Sequence, residues 1–125
     1  MLSVLLVEDN EMILKSIEHL LSKENFYVAS ARNGQEAIDY LDKIHFDVVV
    51  TDLMMPHVTG RELINRIRKD PNKAYIKIIV VSTISGEMLV NEAFNAGADD
   101  YLTKPFMGYE LLLRIKKLLP EDHTE

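Results

Sequence analysis

The 125-residue chain contains no cysteine, which excludes a disulfide framework, a thiolate nucleophile and any thiolate metal site. It lacks a long hydrophobic run: the apolar start MLSVLLV is too short to span a bilayer, has no basic leader and meets Glu8-Asp9 at once, so it reads as a strand. Positive charge is short as well. A net charge of −6 argues against direct nucleic-acid binding, which needs clustered Lys and Arg to neutralise phosphates; the acidity reads as an aid to solubility. The basic residues that do gather, Arg61, Arg66, Arg68 and Lys69, then Arg114, Lys116 and Lys117, lie on amphipathic helical patterns and read as solvated faces. The four histidines, His19, His45, His57 and His123, show no metal spacing and read as surface residues. No linker, repeat or low-complexity stretch divides the chain. With no cysteine and no membrane segment, a cytoplasmic protein is expected.

What is present suits one globular domain with a single core, since 47% of the residues are hydrophobic and 27% charged. Five β-rich segments alternate with helical ones: Leu2 to Val7, Phe26 to Ser30, Asp47 to Thr51, Lys77 to Ser82 and Asp100 to Thr103. The first, third and fourth are nearly continuous apolar runs, as expected of central strands buried on both faces, and the other two read as edges. Apolar stripes mark the helices between them: Met12, Ile13, Ile17, Leu20 and Leu21; Ala37, Ile38 and Leu41; Leu63, Ile64 and Ile67; Leu89, Ala93 and Phe94; and Leu111, Leu112, Ile115, Leu118 and Leu119. Asn33-Gly34 starts the second helix, Asp70-Pro71-Asn72 ends the third and Gly97 stops the fourth. Such alternation implies an α/β fold of βαβ units around a parallel sheet, with right-handed crossovers and helices on both faces. Residues 120–125, PEDHTE, are expected to form a polar, frayed tail after a domain spanning 1–119.

In an open α/β sheet, ligands bind outside the carboxyl ends of the strands. Glu8-Asp9, Asp52, Ser82 and Lys104-Pro105 each fall at or just past such an end. Three carboxylates that converge there raise one another's pKa unless a cation joins them. Mg²⁺ suits the set, because it takes oxygen ligands and keeps several waters beside one or two carboxylates and a phosphate; the Met54 carbonyl could reach the same ion. Asp52 is then placed to accept a phosphoryl group, with the metal, Lys104 and the Ser82 hydroxyl stabilising its oxygens. A cis Lys104-Pro105 bond would be one way to turn the ammonium into the site.

Four strings in order, VEDN (7–10), VVTDLMMPHVTG (49–60), VVST (80–83) and AGADDYLTKPF (96–106), give the chain a close resemblance to the receiver domains of two-component response regulators, in particular to chemotaxis-regulator-like members. Asp52 and Ser82 lie 30 positions apart, and Lys104 a further 22. The resemblance covers about residues 2–119. It implies a flavodoxin-like, doubly wound, five-stranded parallel sheet in the order 2-1-3-4-5. It also implies phosphorylation of Asp52 by a histidine kinase or phosphotransfer protein, Mg²⁺ held by Glu8 and Asp9 with Asp52 and Met54, and a switch made of Ser82 and Tyr101, with Pro105 and Gly60 setting loop geometry. Such a protein is not a conventional enzyme; it catalyses its own phosphorylation and slow dephosphorylation. Departures from the family pattern are Val58 and Thr59 before Gly60, and Thr83 where a smaller residue is usual.

Plainer readings stand beside these. A lone Asp after a strand is usually a turn or cap residue, Asp9 or Asn10 could cap the first helix, and Met54, Met55, Met88 and Met107 read as gap fillers. A phosphorylation-independent scaffold is the competing function, but it has no need of clustered like charges. A phosphatase of the haloacid-dehalogenase type would need an acid where Met54 stands, and a flavodoxin's phosphate-cradling loop would be repelled by Glu8-Asp9. The signal is expected to leave through the fourth helix, fifth strand and fifth helix toward a protein target. Asp100, Glu110 and Arg114 resemble dimer-forming charges, yet no basic residue appears near Val90-Asn91 in the fourth helix, which points to a monomer or a weak phosphorylation-dependent dimer.

Overall fold

A computed structural model describes residues 1–55, 57–84 and 86–119; the expected polar tail lies outside them. Its elements run β1 (Ser3–Val7), α1 (Glu11–Lys23), β2 (Tyr27–Ala31), α2 (Gly34–Lys43), β3 (Val48–Asp52), α3 (Gly60–Lys69), β4 (Lys77–Ser82), α4 (Glu87–Ala96), β5 (Asp100–Thr103) and α5 (Gly108–Leu118). The five strands form one parallel sheet in the order β2-β1-β3-β4-β5.

Side chains alternate across each strand, and this divides the core into two layers. Leu5, Val7, Val49, Ile78 and Val80 face α2, α3 and α4 through Ile38, Leu63, Ile64 and Ala93. Val4, Leu6, Val50, Ile79 and Val81 face α1 and α5 through Leu14, Ile17, Leu111 and Ile115. Both layers are apolar because β1, β3 and β4 are covered on both sides, which is why those strands read as unbroken apolar runs.

Capping fixes where the helices begin. Asn10 Oδ1 accepts from Ile13 N–H at 3.1 Å and Asn33 Oδ1 from Glu36 N–H at 2.8 Å, while Thr59 and Glu62 form a reciprocal capping box at α3. Gly97, with φ +125°, ends α4 as expected.

Four expectations need correction. In α1 the buried face is Leu14, Ile17 and Leu21, and Met12 is 84% exposed; periodicity alone does not choose between adjacent apolar positions. Phe94 of α4 is 42% exposed, since Ala93 takes the inward position. Only Met55 is a buried filler, whereas Met54, Met88 and Met107 are exposed. Arg68 is not on a solvated face. Its guanidinium donates to the carbonyls of Gly97 (2.9 Å), Ala74 (2.7 Å) and Ile76 (2.6 Å) and pairs with Asp99 at 2.8 Å, tying α3 to the turns that enter β4 and β5.

Candidate functional site

The register carries the distant site residues to one edge of the sheet. Val7 pairs with Thr51, Thr51 with Val80, Asp52 with Val81 and Ser82 with Thr103, so Glu8, Asp52, Ser82 and Lys104 emerge side by side at the carboxyl ends of β1, β3, β4 and β5. Each strand stops where its sequence turns polar. Glu8 and Asp52 are nonetheless 3% and 8% exposed, and burial of that depth demands partners for both carboxylates.

Lys104 is the shared partner. Its ammonium donates to Glu8 Oε1 and, at 2.8 Å, to Asp52 Oδ2. The other oxygens meet backbone amides: Asn10 N–H donates to Glu8 Oε2 at 3.0 Å and Met54 N–H to Asp52 Oδ1 at 3.0 Å. Burial is the largest single influence on the lysine and pulls its pKa down. The hydrogen bonds and charges of Asp52 and Glu8 together outweigh it and hold the pKa above the ordinary lysine value. The Lys104–Pro105 peptide is cis.

Asp9 stands apart from this network. Asn10 caps α1, so Asp9 is not needed there, and its side chain is exposed at the mouth of the crevice. One oxygen from each of Glu8, Asp9 and Asp52 lies within 4.8 Å of the others. One ammonium beside three carboxylates leaves surplus negative charge on an all-oxygen donor set, which fits a small hard cation. Both oxygens of Glu8 and both of Asp52 already accept internal hydrogen bonds, so the exposed Asp9 is the carboxylate best able to ligate directly, and a cation would share the oxygens of the other two.

Ser82 is fully buried, and its Oγ accepts from Ile84 N–H at 3.2 Å. Tyr101 is turned into the protein, its hydroxyl donating to the Ile84 carbonyl at 2.6 Å. Both side chains therefore grip one peptide segment of the loop after β4. Backbone partners of this kind leave no mark in a sequence. Met54 and Thr83 are exposed beside it. Gly60 closes the loop after Asp52, with its N–H donating to Leu53 O at 3.1 Å. His45 is exposed, as expected, and it stacks on Tyr75 at 5.2 Å and lies 3.4 Å from Asp47, before β3.

The sequence matches the response regulator receiver domain family over residues 4–116. The chain belongs to that family. Receiver domains similar to it include the one in response regulator RR06 of Streptococcus pneumoniae, 35% identical over 118 residues that cover 94% of this chain and 53% of the relative. The transcriptional regulatory protein ResD of Bacillus subtilis is 36% identical over 93% of this chain and 47% of its own length. This receiver domain thus spans about half the length of the curated relatives it matches. The chemotaxis response regulator CheY4 of Vibrio cholerae superposes with a TM-score of 0.90 at 30% identity, covering 95% of this chain and 99% of that one. The receiver domain is accordingly a two-component signalling module of CheY-like, flavodoxin-like fold, the class of domain that works with histidine kinases or phosphotransfer proteins. Among the described residues no helix is long and apolar enough to cross a membrane.

Proposed function

We propose that this receiver domain, residues 1–119, is a phosphoacceptor switch in which Asp52 takes a phosphoryl group from a histidine kinase or phosphotransfer protein and thereby changes its affinity for a downstream protein. One observation carries the reading: a buried Asp52 carboxylate held 2.8 Å from Lys104 inside a cluster of three carboxylates. A scaffold gains nothing from such crowding, whereas phosphoryl transfer depends on it for positioning and charge.

In the transfer, an Asp52 oxygen attacks phosphorus while the bond from phosphorus to the donor's imidazole nitrogen breaks. The bonding electron pair leaves with the imidazole, and Asp52 becomes an acyl phosphate. Its carboxylate is pre-aimed by Met54 N–H. Lys104, already at the reacting oxygen, turns onto the phosphoryl oxygens. Glu8, Asp9 and Asp52, with the Met54 carbonyl, would hold Mg²⁺, which would supply charge neutralisation for the transferred group.

The Ser82 hydroxyl then donates to a phosphoryl oxygen, and its movement draws on the Ile84 segment that Tyr101 also holds. Output leaves through α4, β5 and α5, provided the two states differ in partner affinity. The Asp100 carboxylate is satisfied within the chain by Arg114 at 2.8 Å, and Glu110 accepts from Met107 N–H at 2.9 Å. With no basic residue in α4, this supports a monomer or weak dimer that signals to another protein rather than directly to nucleic acid.

Incubation with acetyl phosphate and Mg²⁺ followed by intact mass tests the reading. One phosphate-sized increment is expected in the native protein and none in Asp52→Asn. No increment, or an equal one in the variant, refutes it and favours the scaffold.

A further inference from the structure

The loop that follows Asp52 is pinned by two glycines, and one comes from a helix with no other part in the site. A Cβ on Gly60 would lie 2.3 Å from the carbonyl oxygen of Asp52 and 2.8 Å from Leu53 Cα. A Cβ on Gly34, the first residue of α2, would lie 2.6 Å from Val58 Cβ and 2.7 Å from both Val58 Cγ1 and its carbonyl oxygen. Gly34 does not have the left-handed φ that favours glycine. Steric space is therefore what position 34 supplies. Val58 itself follows His57, which is held at φ +67°, so the loop reaches Gly34 in a conformation that non-glycine residues seldom adopt. Val58 also packs on the core layer shared by α2 and α3. The same loop begins at Asp52, whose Oδ1 it fixes through Met54 N–H at 3.0 Å.

We infer that Gly34 is a positioning residue of the phosphoacceptor site: its missing side chain seats Val58 on the start of α2, and this seat sets the loop that aims the Asp52 carboxylate. The inference rests on the proposed function for its kinetic readout, and it makes α2 a working part of the site. Small displacements matter there, because misplacement by about 1 Å can cost up to roughly a hundredfold in rate.

The test compares phosphorylation by acetyl phosphate at saturating Mg²⁺, together with the Mg²⁺ concentration that half-saturates the thermal shift. Gly34→Ala is expected to slow phosphorylation about tenfold and to raise the Mg²⁺ requirement. In a Val58→Gly background the opposing Cβ and Cγ1 are gone and only the carbonyl oxygen contact remains, so the same substitution is expected to slow the reaction clearly less than it does in the native protein, the coupling that contacting residues show. Ala37→Gly weakens α2 from its core side and is expected to lower the melting temperature without changing the rate. A native rate in Gly34→Ala, equal slowing in Ala37→Gly, or full additivity with Val58→Gly overturns the inference. If Gly34→Ala does not fold, Val58→Gly alone decides, and an unchanged rate there is the overturning result. If the native protein takes no phosphoryl group, the proposed function fails separately. Positioning is then judged by the amide resonances of Leu53 and Met54, which must shift in Gly34→Ala and return in the double variant.

Discussion

Replacing Lys104 with methionine keeps the aliphatic length of the side chain and removes its charge. The side chain is 10% exposed and is the ammonium partner of two carboxylates, Glu8 and Asp52, whose side chains are 4% and 12% exposed. Breaking a buried ion pair from one side costs about 3–5 kcal/mol, because the remaining charge stays desolvated without its partner. The crevice opens at Asp9, and Asn10 N–H and Met54 N–H still serve one oxygen of each acid, so the lower figure applies, about 3 kcal/mol in metal-free buffer. For a domain of this size that corresponds to roughly 10 °C in melting temperature. Two companions make the reasoning specific. Lys104→Met combined with Asp52→Asn deletes one stranded charge and should recover at least about 1 kcal/mol, a coupling expected of groups in contact. Mg²⁺ should stabilise Lys104→Met more than the native protein, the gain following the ion's mass action on the folded state. Urea denaturation with and without Mg²⁺ reads all of these. A metal-free loss below about 1 kcal/mol, or a double variant no more stable than the single one, would refute the view that Lys104 neutralises a buried acidic cluster.

Other expectations are more local. Met54 stands exposed at the mouth of the site and has no polar group to orient an attacking water, so the acyl phosphate should be long-lived; Met54→Asn should speed its loss roughly tenfold, a barrier change of about 1.4 kcal/mol. Decay within seconds that Met54→Asn leaves unchanged sinks this idea. Arg68→Met abandons three carbonyls and Asp99 and should cost about 2–4 kcal/mol in urea denaturation, far more than a solvated arginine, whose loss would be nearly silent. Asp70 accepts from Asn72 N–H and from Lys73, which holds its carboxyl below the ordinary 3.8. Its contribution to stability is present above the unfolded value and is lost as pH falls through the lower folded one. A carboxyl carbon titration by NMR with its midpoint at or above 3.8 would contradict the assignment.

How far the sequence spoke depends on what kind of contact made each feature. β1, β3 and β4 were legible because burial on both faces leaves an unbroken apolar signature, and Glu8, Asp52 and Lys104 because parallel neighbouring strands bring their carboxyl ends, and the charges there, to one edge of the sheet. Arg68 was misread since three of its four partners are backbone carbonyls, which carry no side-chain signal. Met12 and Leu14 are two apolar residues on different faces of α1, and only packing against β1 and α5 decides which is inside. His45 finds Tyr75 across 30 positions, a stacking that no local period announces. The seat of Val58 on Gly34 was invisible for a further reason: it depends on an atom that is absent.

Lys104 reaches Glu8 across 96 positions and Asp52 across 52, and this separation bears on when the site can exist. Closing such long loops is paid for in chain entropy before any contact rewards it, so a chain with β1 to β4 assembled but β5 undocked holds three carboxylates and no ammonium. On the proposed function, phosphoacceptance is therefore a property of the finished sheet alone. A kinase that could transfer only to the complete site would never mark an unfinished molecule, and the arrangement proposed to perform the chemistry would also certify that folding has ended.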